Sequence, residues 1–61
     1  MVKRYKLIKQ DTLKKLKLGK IYLIKDFGNR YGIVNTIEEK YQVVIYIINE
    51  WQLKNMFEEV N

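Results

Sequence analysis

The sequence predicts a single α+β domain, in which four short strands form an antiparallel meander with a short helix after the first strand and an amphipathic helix at the C-terminus. Three observations predict this fold. Polar and apolar residues alternate in four short segments, glycine or charged turn residues separate the segments, and apolar residues recur at helical spacing near the C-terminus. A chain of 61 residues with 48% hydrophobic content has room for one small core. Residues 1–61 are therefore expected to form one domain.

The first third of the chain is expected to hold a strand and then one or two helical turns. Residues 2–9 alternate in polarity, as a half-buried strand does. Asp11 can cap the N-terminus of a helix, and Gly19 suits the position just after one. Leu13 and Leu16 between them recur at helical spacing. The short helix is therefore expected between Asp11 and Gly19.

Three further strands are expected in the middle of the chain. The second covers residues 20–26 and ends at a turn, residues 27–30, where Gly and Asn tolerate a positive φ. The third and fourth strands cover residues 31–37 and 41–48. The fourth strand is apolar on both faces, which is typical of a central strand. We therefore expect another element to cover its outer face.

The last segment is expected to be the helix that supplies this cover. Asn49 and Gln52 have the spacing of a capping box. Four apolar residues then recur at i, i+3, i+4 and i+7, namely Leu53, Met56, Phe57 and Val60. Such a stripe can pack on a sheet.

The turn glycines of the meander resemble those of a known family. A Gly-Lys-Ile-Tyr-Leu-Ile segment begins at Gly19, and a hairpin with Gly28, Gly32 and Val34 follows it. Over residues 18–48 this pattern resembles the SH3-like small barrels of KOW type. The resemblance implies a partly open SH3-like barrel, to which the C-terminal helix would be an addition. Because that family often binds RNA or the ribosomal and transcription machinery, the resemblance also favours nucleic-acid partners.

The charge of the chain is divided between its two halves. Residues 1–30 hold ten of the twelve cations and two acids, which gives this half a charge of +8, whereas residues 31–61 carry −3. Such a field steers a basic surface onto an anionic partner.

The cations of the first half include the first candidate site. A cluster on the predicted short helix could lie along a phosphate backbone and release its counterions, and it consists of Lys14, Lys15, Lys17 and Lys20. Arg30 at the hairpin tip is suited to bidentate contact with phosphate or carboxylate. The alternative for all five is an ordinary solvated surface.

Three aromatic residues complete the candidate site. Tyr22 and Tyr31 flank the basic hairpin and could stack on bases, or they could simply pack in the core. Trp51 lies opposite the apolar stripe of the predicted C-terminal helix. It is therefore either an exposed anchor for a protein interface or folded under the end of the fourth strand.

The residue inventory argues against catalysis. Without His, Cys or Ser, the usual nucleophiles and general bases are missing, and the paired acids at 38–39 and 58–59 are not expected to converge. We expect no enzyme activity, no cofactor and no metal site. The longest apolar run, residues 43–48, is far shorter than the roughly 20 residues of a membrane helix. No membrane span is therefore expected. Because residues 1–10 are basic and lack the apolar run of roughly 7 to 15 residues that a secretory signal needs, a cytoplasmic protein is expected.

The expected function is binding, and three hypotheses remain open. The first is an inhibitor or adaptor on an acidic protein or a bacterial nucleoprotein such as a CRISPR effector. It is favoured by the small size and by a composition without Ala, Ser or Pro that suggests an AT-rich phage or bacterium. The second is direct binding of RNA or DNA by an SH3-like module. The third is a self-associating structural protein, which includes a homodimer formed through opposite charges or an uncovered edge strand.

Overall fold

The computed structural model describes residues 2–11, 13–38 and 41–61. Within them the chain forms five strands and one helix. The strands are β1 (Val2–Leu7), β2 (Ile21–Asp26), β3 (Tyr31–Glu38), β4 (Tyr41–Ile48) and β5 (Phe57–Val60), and the helix is α1 (Glu50–Met56). The strands form one antiparallel sheet in the order β4-β3-β2-β1-β5. The predicted α+β fold of four strands and two helices is therefore wrong, and the domain is mostly β.

The β1–β2 loop (residues 8–20) replaces the helix that was predicted after the first strand. Its backbone makes separate turns, in which the Leu13 N–H donates to the Gln10 carbonyl and the Leu16 N–H donates to the Leu13 carbonyl. The base of the loop is closed by the strand that precedes it, since the Gly19 N–H donates to the Leu7 carbonyl at 2.8 Å. Gly19 has a φ of +84°, which favours glycine there. A helix of two turns is marginal in isolation, and these contacts outside the segment decide its structure.

The C-terminal helix is shorter than predicted. The capping box is confirmed, because the Asn49 side chain accepts from the Gln52 N–H and the Gln52 side chain accepts from the Asn49 N–H. The helix ends at Met56, and Phe57 is already extended, with φ −124° and ψ 156°. From Phe57 the chain pairs with β1, with Phe57 opposite Leu7. Because β1 has a free edge on this side, the second half of the predicted helix pairs with it and forms β5 instead.

Strand β4 is an edge strand and not a central one. It pairs with β3, and the sheet order places it at the end opposite β5. An extra residue, Ile45, forms a bulge, because Ile33 lies opposite Tyr46 while Val34 lies opposite Val44. The expectation that other elements cover both faces of this strand is wrong, since four of its apolar side chains are between 42% and 53% exposed, namely Val43, Val44, Ile45 and Ile47.

The core lies on one face of the sheet, which we call the covered face. Directly opposite residues of an antiparallel pair share a face, and this rule places Leu7, Tyr22, Ile24, Ile33 and Ile48 together. Two segments pack on them as one layer. Leu13 and Leu16 come from the β1–β2 loop, and Leu53 and Met56 come from α1. Both covering segments therefore lie on the same side of the sheet.

Candidate binding surface

The opposite side of the sheet, which we call the open face, is the main candidate surface. The register assigns to it the residues that alternate with those of the core, namely Arg4, Lys6, Ile21, Leu23, Lys25, Gly32, Val34, Val44 and Ile47. α1 and the β1–β2 loop both pack on the covered face, and five of the side chains on this side are exposed, whereas Val34 is 4% exposed. It is thus a broad surface formed by four adjacent strands.

The centre of the open face is apolar. Ile21, Val44 and Ile47 are each between 42% and 49% exposed. Phe27 follows β2 and folds back over Gly32, where a Cβ atom would lie 2.5 Å from the Cε2 atom of the Phe27 ring. Gly32 therefore makes room for this ring. The exposed apolar side chains of this face thus come from β2, β4 and the turn after β2.

Cations lie on one side of this apolar centre, on β1 and β2. Arg4 and Lys6 project from β1 on the open face, and both are exposed. Lys25 lies with its Nζ atom 5.5 Å from the centre of the Phe27 ring, within the range of a cation–π contact. On β5, Glu58 is the acid that the register places on this face, and it stands opposite Lys6. Strands β1, β2 and β5 therefore contribute three cations and one acid to the open face.

The lysine cluster predicted from the sequence lies at one end of the sheet. Lys14, Lys15, Lys17 and Lys20 are all exposed on or beside the β1–β2 loop, although on turns rather than a helix. Buried Leu13 and Leu16 anchor this loop, and the Gln10 side chain donates to the Leu16 carbonyl. The ammonium groups are thus held on an anchored loop and project to solvent.

Tyr22 has a structural position beside this cluster. Its side chain is 8% exposed and belongs to the core. Its hydroxyl accepts a hydrogen bond of 2.7 Å from the Lys17 N–H, and the Lys20 Nζ atom lies 5.3 Å from the ring centre. Such burial leaves little ring surface for a nucleotide base. Tyr22 therefore connects the β1–β2 loop to the sheet.

The remaining predicted site residues lie at the other end of the sheet. Arg30 follows β2, whereas Lys20 precedes it, and six strand residues separate them by about 20 Å. Arg30 is exposed beside Ile47 and Asn49 in a shallow cleft of about 370 Å³. Trp51, in the first turn of α1, is 61% exposed. The structure therefore divides the predicted site into a lysine group and an Arg30 group.

Tyr31 lies in a second cleft on the covered face. This cleft has a volume of about 140 Å³ and is lined by Lys3, Tyr5 and Asp26 besides Tyr31. Burial raises the pKa of Tyr5, which favours its neutral hydroxyl. Tyr31 itself is half-buried against the core.

Sequence reasoning missed the apolar part of the open face. Ile21, Phe27, Val44 and Ile47 were not among the candidate residues, because apolar residues in strands normally point to a core. One signal was present. The fourth strand is apolar on both faces, and a chain of 61 residues has few segments with which to cover two faces of a sheet.

The described residues lack a helix that is long and apolar enough to cross a membrane. Among the same residues, no three carboxylates are grouped so that they could hold a metal ion. Comparison of the chain with protein-family models, curated proteins and solved structures gives no match. The resemblance to SH3-like barrels therefore stays a prediction.

Proposed function

We propose that this protein is a non-enzymatic binding protein that docks its open face on an acidic protein surface. The open face supports this proposal because it has the composition of a protein interface. Such interfaces have an apolar centre that excludes water and a polar or charged rim. Here Ile21, Val44 and Ile47 would form the centre, and Arg4 and Lys6 would lie at the rim.

The charge of this surface favours an acidic partner. Strands β1, β2 and β5 place three cations, Arg4, Lys6 and Lys25, and one acid, Glu58, on this face. Cations at the rim of an interface mainly raise the association rate and reject cationic partners. The lysines of the β1–β2 loop extend the same positive field beyond the end of the sheet.

The type of apolar residue favours protein over nucleic acid as the partner. Proteins that bind single strands stack bases on exposed aromatic rings. On this protein the ring beside the lysine cluster, Tyr22, is buried in the core. The exposed centre of the open face is instead formed mainly by Ile and Val side chains. This distribution agrees with the inhibitor or adaptor hypothesis, with the contact on a sheet face rather than on a basic helix.

Matched charge reversals test the proposal. Arg4→Glu with Lys6→Glu changes the open face, and Lys14→Glu with Lys15→Glu changes the loop by the same amount; all four side chains are exposed. Proteins captured from a bacterial lysate by the wild type and by each variant would be quantified by mass spectrometry. We expect a specific partner to be lost with the open-face variant and retained by the loop variant.

Ile21→Asp, compared with Leu18→Asp on the loop, tests the apolar centre in the same way.

A titration with nucleic acids provides the opposing test. Single-stranded RNA, single-stranded DNA and duplex would be titrated at low salt and at about 0.15 M salt. We expect binding that disappears at the higher salt concentration, because phosphate contacts alone depend steeply on salt. Affinity that persists there and is abolished by the loop variant would contradict the proposal and establish direct nucleic-acid binding.

A further inference from the structure

The two edge strands of the sheet differ in length and charge. β5 has four residues, two of which are the exposed acids Glu58 and Glu59. β4 has eight residues, Tyr41–Ile48, and none of them is charged. Short length and charge are the usual features that keep an edge strand from pairing with another chain. β5 has both features and β4 has neither.

The exposed side chains of β4 lie on both sides of the sheet. Val44 and Ile47 belong to the open face, whereas Val43, which stands opposite Asn35, belongs to the covered side. A partner that docks on the open face would leave Val43 in solvent. A strand added along the edge would instead contact side chains on both sides and pair with the outer backbone groups of β4. The geometry therefore favours a strand as the occupant of this edge.

We propose that β4 pairs antiparallel with β4 of a second copy of this chain. The two strands match in length, and their neutrality means that no charge opposes a like charge along the seam. A two-fold axis perpendicular to the sheet would join the two sheets into one of ten strands. The bulge at Ile45 bends the strand but leaves this side chain 53% exposed.

The distribution of cations supports a second copy in this arrangement. Arg4 and Lys6 lie on β1, which is three strands away from β4 in the sheet. In the dimer, seven strand spacings would separate the two β1 strands, or about 34 Å at about 4.8 Å each. The Debye length at physiological salt is about 8 Å, so these cations would not repel one another appreciably. The cations of β1 therefore do not oppose pairing through β4.

The alternative pairing of β4 with β5 of another copy is less favourable. β5 offers four residues to the eight of β4, so half of β4 would stay unpaired. This head-to-tail contact would also leave a free edge at each end and continue into a fibre. The two-fold arrangement ends with two β5 edges, which carry acids.

The dimer would place both open faces on the same side of the joined sheet. A two-fold axis perpendicular to a sheet keeps each face on its own side. Val44 and Ile47 of the two copies would then adjoin across β4, with the β1 cations of each copy far from the seam. This consequence is independent of which partner docks on the open face.

The first test measures mass and hydrogen exchange on the wild-type protein alone. Sedimentation or light scattering from about 1 µM to about 1 mM should show a rise from one to two chains. Hydrogen exchange at both ends of this range should show added protection in β4 at high concentration and none in β5. A single chain at every concentration, or larger species with protection in β5, would overturn the proposal.

The second test uses matched variants. Val43→Lys with Ile45→Lys adds two charges to β4, and Ile8→Lys with Leu18→Lys adds two charges at exposed apolar side chains elsewhere. We expect the β4 variant to weaken association about tenfold or more and the control to associate as the wild type does. Circular dichroism would establish that both variants are folded. Equal association of the folded β4 variant and the control would refute β4 pairing, whatever the outcome for the open face.

Discussion

Replacing Leu13 by Ala tests the finding that the β1–β2 loop contributes to the core. Leu13 is 0% exposed, although it lies in a loop. Truncating a buried leucine to alanine typically costs about 2–5 kcal/mol, including the cavity left behind. A domain of this size has a total stability of about 3–9 kcal/mol. Leu13→Ala should therefore remove a large share of the stability, and a loss of about 3 kcal/mol lowers the Tm by about 12–24 °C.

Leu18→Ala is the matched control, because Leu18 belongs to the same loop and is 59% exposed. Its effect should stay within about 0.5 kcal/mol. Thermal unfolding followed by circular dichroism, with urea unfolding for the free energy, measures both variants. If Leu13→Ala cost less than about 1 kcal/mol, or as little as Leu18→Ala, the loop would not be anchored as described, and the packing argument would be refuted.

Three further predictions concern individual groups. Tyr22→Phe removes the acceptor of the Lys17 N–H and should cost about 1 kcal/mol in thermal unfolding; unchanged stability would show that this bond is not made in solution. Asn49→Ala removes the helix cap and should also cost about 1 kcal/mol, whereas Asn49→Asp should retain most of the stability. Burial raises the pKa of Tyr5 above its ordinary value of 10.0, so the stabilisation by its neutral form is complete below pH 10.0 and is lost as pH rises through the higher pKa. The tyrosinate absorbance of Tyr5 is the difference between titrations of the wild type and of Tyr5→Phe, and it should appear above pH 10.0. Its appearance below pH 10.0 would contradict a raised pKa.

The four strands β1–β4 could be predicted because their signal is local. Alternation of polar and apolar residues and the turn residues around Gly28 are properties of short segments. The capping box of Asn49 and Gln52 is local too, and it correctly marks the start of α1. Such features appear in the sequence at the positions where they act.

Two of the wrong predictions, the helix after β1 and the second half of the C-terminal helix, arose where distant contacts decide the structure. Leu13 and Leu16 are three residues apart, which suits a helix and also suits two successive turns that each bury a leucine. The contact between Gly19 and Leu7 selects the turns. Phe57 likewise fits a helical stripe, but it is opposite Leu7 on the free edge of β1. Local periodicity does not contain the information that this edge is free.

The positive charge of the candidate surface could be predicted from the sequence, but its location on the open face of the sheet could not. Nine of the ten lysines and arginines in the first half of the chain are exposed, as their chemistry requires, and Lys25 is half-buried. Which of them share a face depends on register, which brings Arg4 and Lys6 beside Ile21 and Leu23. The sequence spacing emphasised the loop lysines instead, because they are neighbours along the chain.

The small size of the chain connects the open face with the need for a partner. One helix of seven residues and one loop supply a single covering layer, and both are used on the covered face. A partner that covers the open face would supply the second layer and would bind only the folded state. At a partner concentration of about 100 times the Kd, this linkage stabilises the fold by about 2.7 kcal/mol. Because a domain of this size gains about 4–8 °C in Tm per kcal/mol, a true partner should raise the Tm by more than about 10 °C. The Arg4→Glu, Lys6→Glu variant should show little of this rise, whereas a partner that stabilises this variant and the wild type equally must bind elsewhere.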